Sequence, residues 1–199
     1  MRCPWALISS RMAAYHDLEW GIPSRDDRHI FKMLILEGMQ AGLSWAVILR
    51  KSEFLEEAFD GFDPEKIAGY KSDKVEKLMS NPDIIRNKLK INAVISNAAA
   101  YLKLRREEGS LSDFLWKFVD DKPIINNWKV MSEVPSKTTL SDKISQELKK
   151  RGFKFVGSTI VYSLMQSIGL VNDHLKECSF RFKKPNPLPV LEGKTAPAK

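Results

Sequence analysis

The chain has 199 residues, 43% of them hydrophobic, with only 10 glycines and 10 prolines, which is enough for one buried core and excludes a collagen-like, low-complexity or wholly disordered protein. Two cysteines exclude a disulfide scaffold, and no apolar run approaches the ~20 residues of a membrane helix. The start is broken by Ser9, Ser10 and Arg11 too early for a secretory signal, so a cytoplasmic globular protein is expected.

In chain order, Ile30, Phe31, Leu34 and Ile35 recur at helical spacing behind Asp26 and Asp27, which suit a helix N-terminus. Ser44 is placed to cap a second helix carrying Val47, Ile48, Phe54, Leu55 and Phe59. Asp63-Pro64 supplies a cap and a first-turn proline for a short helix ending near Gly69, and Ser72 opens another through Val75, Leu78 and Met79. A long helix is predicted from Ile84 to about Arg106 with Gly109 as its stop, then a short one from Ser112 through Phe118. Residues 120–139 read as a long polar connection. No sustained period-two alternation occurs anywhere, so the fold class is all-α.

Two further helices, Ser141–Arg151 and Ser158–Ile168, flank the Gly-bounded turn Gly152-Phe-Lys-Phe-Val-Gly157 and form a helix-hairpin-helix over about 141–169. Open backbone N–H groups there, beside Lys149, Lys150, Arg151 and Lys154, can hold one phosphate. An ordinary antiparallel helix pair with a solvated basic rim has the same spacing. The formal net charge of +7 adds little to this choice, because residues 181–199 carry +4 of it in a Pro-rich stretch read as a basic, flexible tail. The globular part is read as one domain over 1–180.

Both cysteines and two of the three histidines fall into pairs, Cys3 with His16 and His174 with Cys178. A spacing of four puts the second pair on one face of a helix following Asn172-Asp173, while the first pair spans a loop. Two thiolates and two imidazoles make a closed tetrahedral zinc shell, a staple between the chain ends. Buried cysteines and surface histidines without an ion fit the same residues. Likewise Trp5, Tyr15, Trp20 and Trp45 surround Glu37, which follows the apolar run Met33–Leu36. Aromatic faces and one carboxylate suit a flat cationic ligand; the same residues also suit a plain core with a solvated acid. His29 reads as a surface residue.

Four segments carry a resemblance: Tyr15-His-Asp-Leu-Glu-Trp-Gly21, Leu36-Glu-Gly-Met-Gln-Ala-Gly-Leu-Ser-Trp45, Arg151-Gly-Phe-Lys-Phe-Val-Gly157 and Gly169-Leu-Val-Asn-Asp-His174-Leu-Lys-Glu-Cys178. Together, over residues 1–180, they resemble the bacterial DNA-3-methyladenine glycosylase I family, an all-α branch of the helix-hairpin-helix DNA glycosylases with a structural zinc. The resemblance implies zinc ligands Cys3, His16, His174 and Cys178, catalytic Glu37, and base-binding Trp5, Tyr15, Trp20 and Trp45. It also implies DNA contacts from Leu43, at the tip of an Ala41–Ser44 turn that probes the gap left by a flipped base, and from Gly152, Lys154 and Gly157. Monofunctional excision of 3-methyladenine from alkylated double-stranded DNA, leaving an abasic site, is the implied reaction, since Val161-Tyr162 places no lysine nucleophile after the hairpin. Asp173, near the catalytic aspartate of many superfamily members, is assigned a local role beside the metal site. One departure is Met12, where the family commonly has tyrosine. The runner-up is a non-catalytic, zinc-stapled module binding damaged DNA; a third, redox or protein-interaction role for Cys3 and Cys178 requires freely reactive thiols. The absence of a heptad or other assembly element predicts a monomer.

Overall fold

The computed structural model describes residues 1–182, so the 181–199 tail lies, beyond Phe182, outside the described residues. A 3-10 turn at Pro4–Ile8 leads into α1 (Ser10–Leu18), α2 (Asp27–Gln40), α3 (Trp45–Ala58), α4 (Pro64–Ala68), α5 (Ser72–Ser80), α6 (Lys88–Glu108) and α7 (Leu111–Trp116). Strand β1 (Ile124–Ile125), α8 (Thr139–Lys150), α9 (Ser158–Ser167) and strand β2 (Val171–Asn172) complete the order. The one ladder among the described residues is a two-residue parallel pairing, Ile124 with Val171 and Ile125 with Asn172. It is too short to leave a period-two signal, and it ties the long connection to the C-terminal segment.

The core is organised on α2, which packs against α3, α6, α7 and α9. From Met33 to Met39 every residue of α2 is buried, so its C-terminal half is enclosed on all sides and carries Glu37 inward with it. Asp26 caps α2 by accepting from the N–H of Arg28, and Asp63 caps α4 by accepting from Glu65 and Lys66. Asp27 then accepts from the Tyr101 hydroxyl and the Ser112 N–H, joining α2 to α6 and α7.

Several expected boundaries shift for reasons of capping. The long helix starts at Lys88, because the Asn87 side chain accepts the Lys90 N–H and so caps there instead of at Ile84. Ser110, accepting from Asp113, caps α7 in place of Ser112. Thr138 forms a capping box with Ser141, moving the start of α8 forward, and Gly157 is the cap residue of α9. The stretch holding His16, expected as loop, is α1, with Met12, Tyr15 and His16 buried on one face. His174 and Cys178, expected on a helix, lie instead in the turns after β2, where the Cys178 N–H donates to the Leu175 carbonyl. No described helix is long and apolar enough to cross a membrane.

Candidate active site and metal cluster

The enclosed end of α2 forms one wall of a cavity of about 400 Å³, within the roughly 300–1,000 Å³ of small-molecule sites. Trp5, Tyr15, Trp20, Glu37 and Trp45 all line it, so the 3-10 turn, α1 and the turn after it, α2 and α3 deliver the expected acid and aromatics to one space. Trp5 meets Trp20 edge-on at 4.9 Å between centroids, and Tyr15 tilts against Trp45 at 5.2 Å. Met12 is buried and lines the same cavity.

Glu37 is 3% exposed, and its Oε2 is buried without a hydrogen-bond partner among the described residues. Burial, with no neighbouring charge to offset it, pushes the Glu37 carboxyl up to about 8. The Trp45 indole N–H is also buried and unpartnered. Two residues that line one aromatic cavity thus each carry an unpartnered polar atom, a pairing that suits a polar ring more than a plain apolar core. Burial beside Glu37 raises the Tyr15 phenol as well, keeping it neutral.

Cavity residues outside the sequence expectation are Gln40, four residues of the 131–136 connection (Met131, Val134, Pro135 and Ser136), and Thr159, Tyr162, Ser163 and Gln166 of α9. Those on α9 recur at 159, 162, 163 and 166, a helical stripe with polar members on an otherwise apolar helix; that spacing was a legible signal. Met131 and Val134 come from the long connection, which carries no periodicity to reveal them. Asp173 does not line the cavity. It is fully buried and accepts four hydrogen bonds, from Asn126 (2.7 Å), Trp128 (2.7 Å), Tyr162 (2.6 Å) and Gln166 (2.8 Å), so its two oxygens are saturated as a structural hub behind the wall.

A second cleft, lined by Gln40, Gly42, Leu43, Thr159 and Ile160, also reaches Glu37. Leu43 is 39% exposed at the tip of the turn after α2, whose tight path uses Gly42 at φ +77°. In the hairpin, Gly152 adopts φ +91°, but its N–H donates to the Lys149 carbonyl. The Phe153 N–H is likewise taken by Leu148, and the Lys154 N–H by Asn97. The donors left without a partner among the described residues are those of Phe155, Val156 and Gly157 with the first turn of α9. Arg151 is a strut rather than a free charge, paired with Glu108 at 2.7 Å and Glu147 at 2.7 Å, and Lys150 also pairs with Glu147. Lys149 and Lys154 have no ion pair among the described residues, so the open positive charge of the hairpin is theirs.

Beneath the aromatic wall, Cys3, His16, His174 and Cys178 converge, all buried, with one potential ligand atom each and all four atoms within 4.8 Å of one another. The Cys178 Sγ lies 3.3 Å from His174 Nδ1 and 3.5 Å from His16 Nε2, and Cys3 Sγ lies 3.9 Å from His174 Nδ1. Edges of a tetrahedron with metal bonds of about 2.0–2.3 Å are of this size. The remaining ring nitrogens are anchored, His16 Nδ1 to Asp17 at 2.8 Å and His174 Nε2 to the Trp20 carbonyl at 3.0 Å, which turns the other nitrogen of each ring into the cluster. Asp17 is itself held by Arg2. Burial lowers His174 to about 4 and lowers His16, so both imidazoles are neutral, the form that ligates. No disulfide joins the cysteines. Their geometry is that of a group able to hold a metal ion.

The sequence model of the methyladenine glycosylase family matches residues 5–182. The chain is 47% identical over 177 residues to the DNA-3-methyladenine glycosylase 1 of Escherichia coli (strain K12), covering 89% of this chain and 95% of that protein. It is 46% identical to the DNA-3-methyladenine glycosylase of Haemophilus influenzae over 89% of this chain and 96% of that one. A solved structure of a 3-methyladenine DNA glycosylase I variant in complex with 3-methyladenine superposes with a TM-score of 0.89 at 37% identity, covering 92% of this chain and 98% of the other.

Proposed function

The chain belongs to the methyladenine glycosylase family and is an N-glycosidic bond hydrolase that excises 3-methyladenine from DNA, and on that premise we propose which of its residues carry the reaction. The observation that carries the assignment is the buried, unpartnered carboxylate of Glu37 in an aromatic cavity. Adenine methylated at ring position 3 is cationic in the nucleotide and leaves as a neutral base, so departure needs little acid assistance and selection rests on holding the flipped base. Glu37, ionised in the complex, accepts from the donor edge of the base. Trp45 and Tyr15 supply stacking surface, while Trp5 and Trp20 wall the cavity. Water adds to C1′ as the C1′–N9 pair departs with the base, and a proton is released to solvent; the product is an abasic site. The saturated hydrogen bonding of Asp173 supports Glu37 over it as the functional acid.

Leu43 fills the gap in double-stranded DNA, and the hairpin, through Gly152, Lys154 and Gly157, holds the backbone beside it. Within that hairpin the N–H groups of residues 155–157 are the phosphate donors, with Lys154 adding charge. The Cys3, His16, His174 and Cys178 cluster binds zinc, which when present supplies a structural cross-link between the chain ends and no chemistry. The enzyme acts as a cytoplasmic monomer.

Chromatography of free bases released from methylated duplex DNA tests this reading. Release of 3-methyladenine by the parent and a loss of about a hundredfold or more in Glu37→Gln is expected. Equal release by both would take Glu37 out of its central role, and no release by a folded, metal-loaded parent would overturn the reading.

A further inference from the structure

The probing turn and the hairpin must act on one duplex at one moment, yet they are more than a hundred residues apart in the chain. Two buried polar side chains of α6 touch both. Lys90 is 7% exposed, and its Nζ donates to the carbonyls of Met39 (2.8 Å) and Ala41 (2.6 Å). These belong to the last turn of α2 and the first residue of the turn, where no following helical N–H is available to them. An ammonium there also opposes the negative end of the helix dipole.

Asn97 is 2% exposed and lies seven residues further on, two turns along the same face of α6. Its amide closes on both main-chain groups of Lys154: Oδ1 accepts the N–H at 2.7 Å and Nδ2 donates to the carbonyl at 3.1 Å. Between the two contacts Ile35, Ala93, Val94 and Phe155 line a cavity of only about 10 Å³, which leaves little room for the two segments to shift. Phe155 lies so close to α2 that a Cβ on Gly38 would sit 3.3 Å from its own. Neither Lys90 nor Asn97 lines the base cavity. A buried ammonium is costly unless its partners are fixed, and here they are main-chain oxygens of the segment that carries Leu43.

We propose that Lys90 and Asn97 are positioning residues that index the 41–44 turn and the 152–157 hairpin on one helix, fixing the spacing between backbone grip and base probe. The inference rests on the reading of those two segments as DNA contacts. It makes Lys90 and Asn97 determinants of action on duplex DNA and leaves recognition of the isolated base to the cavity.

The test compares Lys90→Met, Asn97→Ala and the double variant with the parent in two assays: release of 3-methyladenine from methylated duplex at varied DNA concentration, and titration of free 3-methyladenine by tryptophan fluorescence. Each single change is expected to lower duplex excision by about tenfold or more through a raised KM, while free-base affinity stays within about twofold. The double variant is expected to lose little beyond the worse single one, because breaking either contact frees the pair. Lys90→Arg, which still reaches two carbonyls, is expected to regain most of the loss. Where a truncation fails to fold, Lys90→Arg and Asn97→Asp carry the test, the latter keeping the acceptor for the Lys154 N–H and losing the donor to its carbonyl. Unchanged duplex excision in folded variants would overturn the proposal, as would a parallel fall in free-base affinity. No release by the parent itself would instead overturn the glycosylase reading.

Discussion

At Glu37 a single carboxyl links stability to chemistry. In the unfolded chain it ionises near 4.5, whereas the folded cavity holds its proton up to about 8. Between those values the folded state binds the extra proton, so the base-free protein loses stability as pH rises, by about 1.4 kcal/mol per unit at most from this group. Glu37→Gln has nothing to titrate there. Its melting temperature is therefore expected to fall less between pH 5 and 8 and to exceed the parent's at pH 8; coincident pH profiles of melting would show that Glu37 is not held protonated. In the proposed role Glu37 meets the cationic base as a carboxylate, so kcat/KM on methylated duplex is expected to rise from pH 6 towards 8. Met12 is the other informative single residue. It lines the cavity next to the aromatics, and Met12→Tyr adds stacking surface and a hydroxyl there. A tighter free-base titration is expected, and unchanged binding would remove Met12 from the recognition surface.

Among the elements, the turns that close helices are where sequence and packing meet most tightly. Gly169 ends the α9 region at φ +69°, and a Cβ there would lie 2.3 Å from the main-chain atoms Ile22 C and Pro23 N. Gly169→Ala is thus expected to cost more than about 3 kcal/mol in chemical denaturation, because the clash is with backbone that cannot swing aside. Gly42, at φ +77° with no atom within 4 Å of an added Cβ, offers the contrast. Gly42→Ala is expected to cost only the strain of the left-handed conformation, about 1–2 kcal/mol. The cap signals Asp26, Asp63 and Gly109 were legible as written, since each acts on its own helix end within a few residues, whereas Ser44 occupies the N-cap position of α3 without a side-chain capping bond. Helix α1 was not, because its buried face is built from Met12, Tyr15 and His16, and a histidine and a tyrosine do not register as an apolar stripe. Ser110 took the α7 cap from Ser112, and Asn87 set the start of α6 at Lys88 rather than the expected Ile84, each by supplying a side-chain acceptor at the right offset.

For the whole molecule, the Cys/His cluster joins residues 3 and 16 to 174 and 178, so any metal held there closes nearly the entire chain into one loop. Stripping metal with a chelator is expected to lower the melting temperature by about 10 °C or more and to make both cysteines titratable by a thiol reagent. An unchanged melting curve would leave the cluster without a structural metal. Trp5 and Trp20 touch His16 and His174 edge-on at 5.1 and 4.7 Å while lining the aromatic cavity, so the Cys/His cluster and the cavity share a wall. By itself the sequence determined the helical class and a spacing compatible with a helix-hairpin-helix, because helix periodicity, capping and motif spacing are short-range properties written in consecutive residues. The ligand and pocket residues were indicated by the family resemblance, since their spacing alone also fits an ordinary core. The burial of Glu37, the saturation of Asp173, the pocket wall from the 131–136 connection and the bridging contacts of Lys90 and Asn97 were decided only by the tertiary structure. Each depends on which surfaces of distant segments meet, and a carboxyl becomes an orphan, or a lysine a clamp, only when packing has removed water from around it.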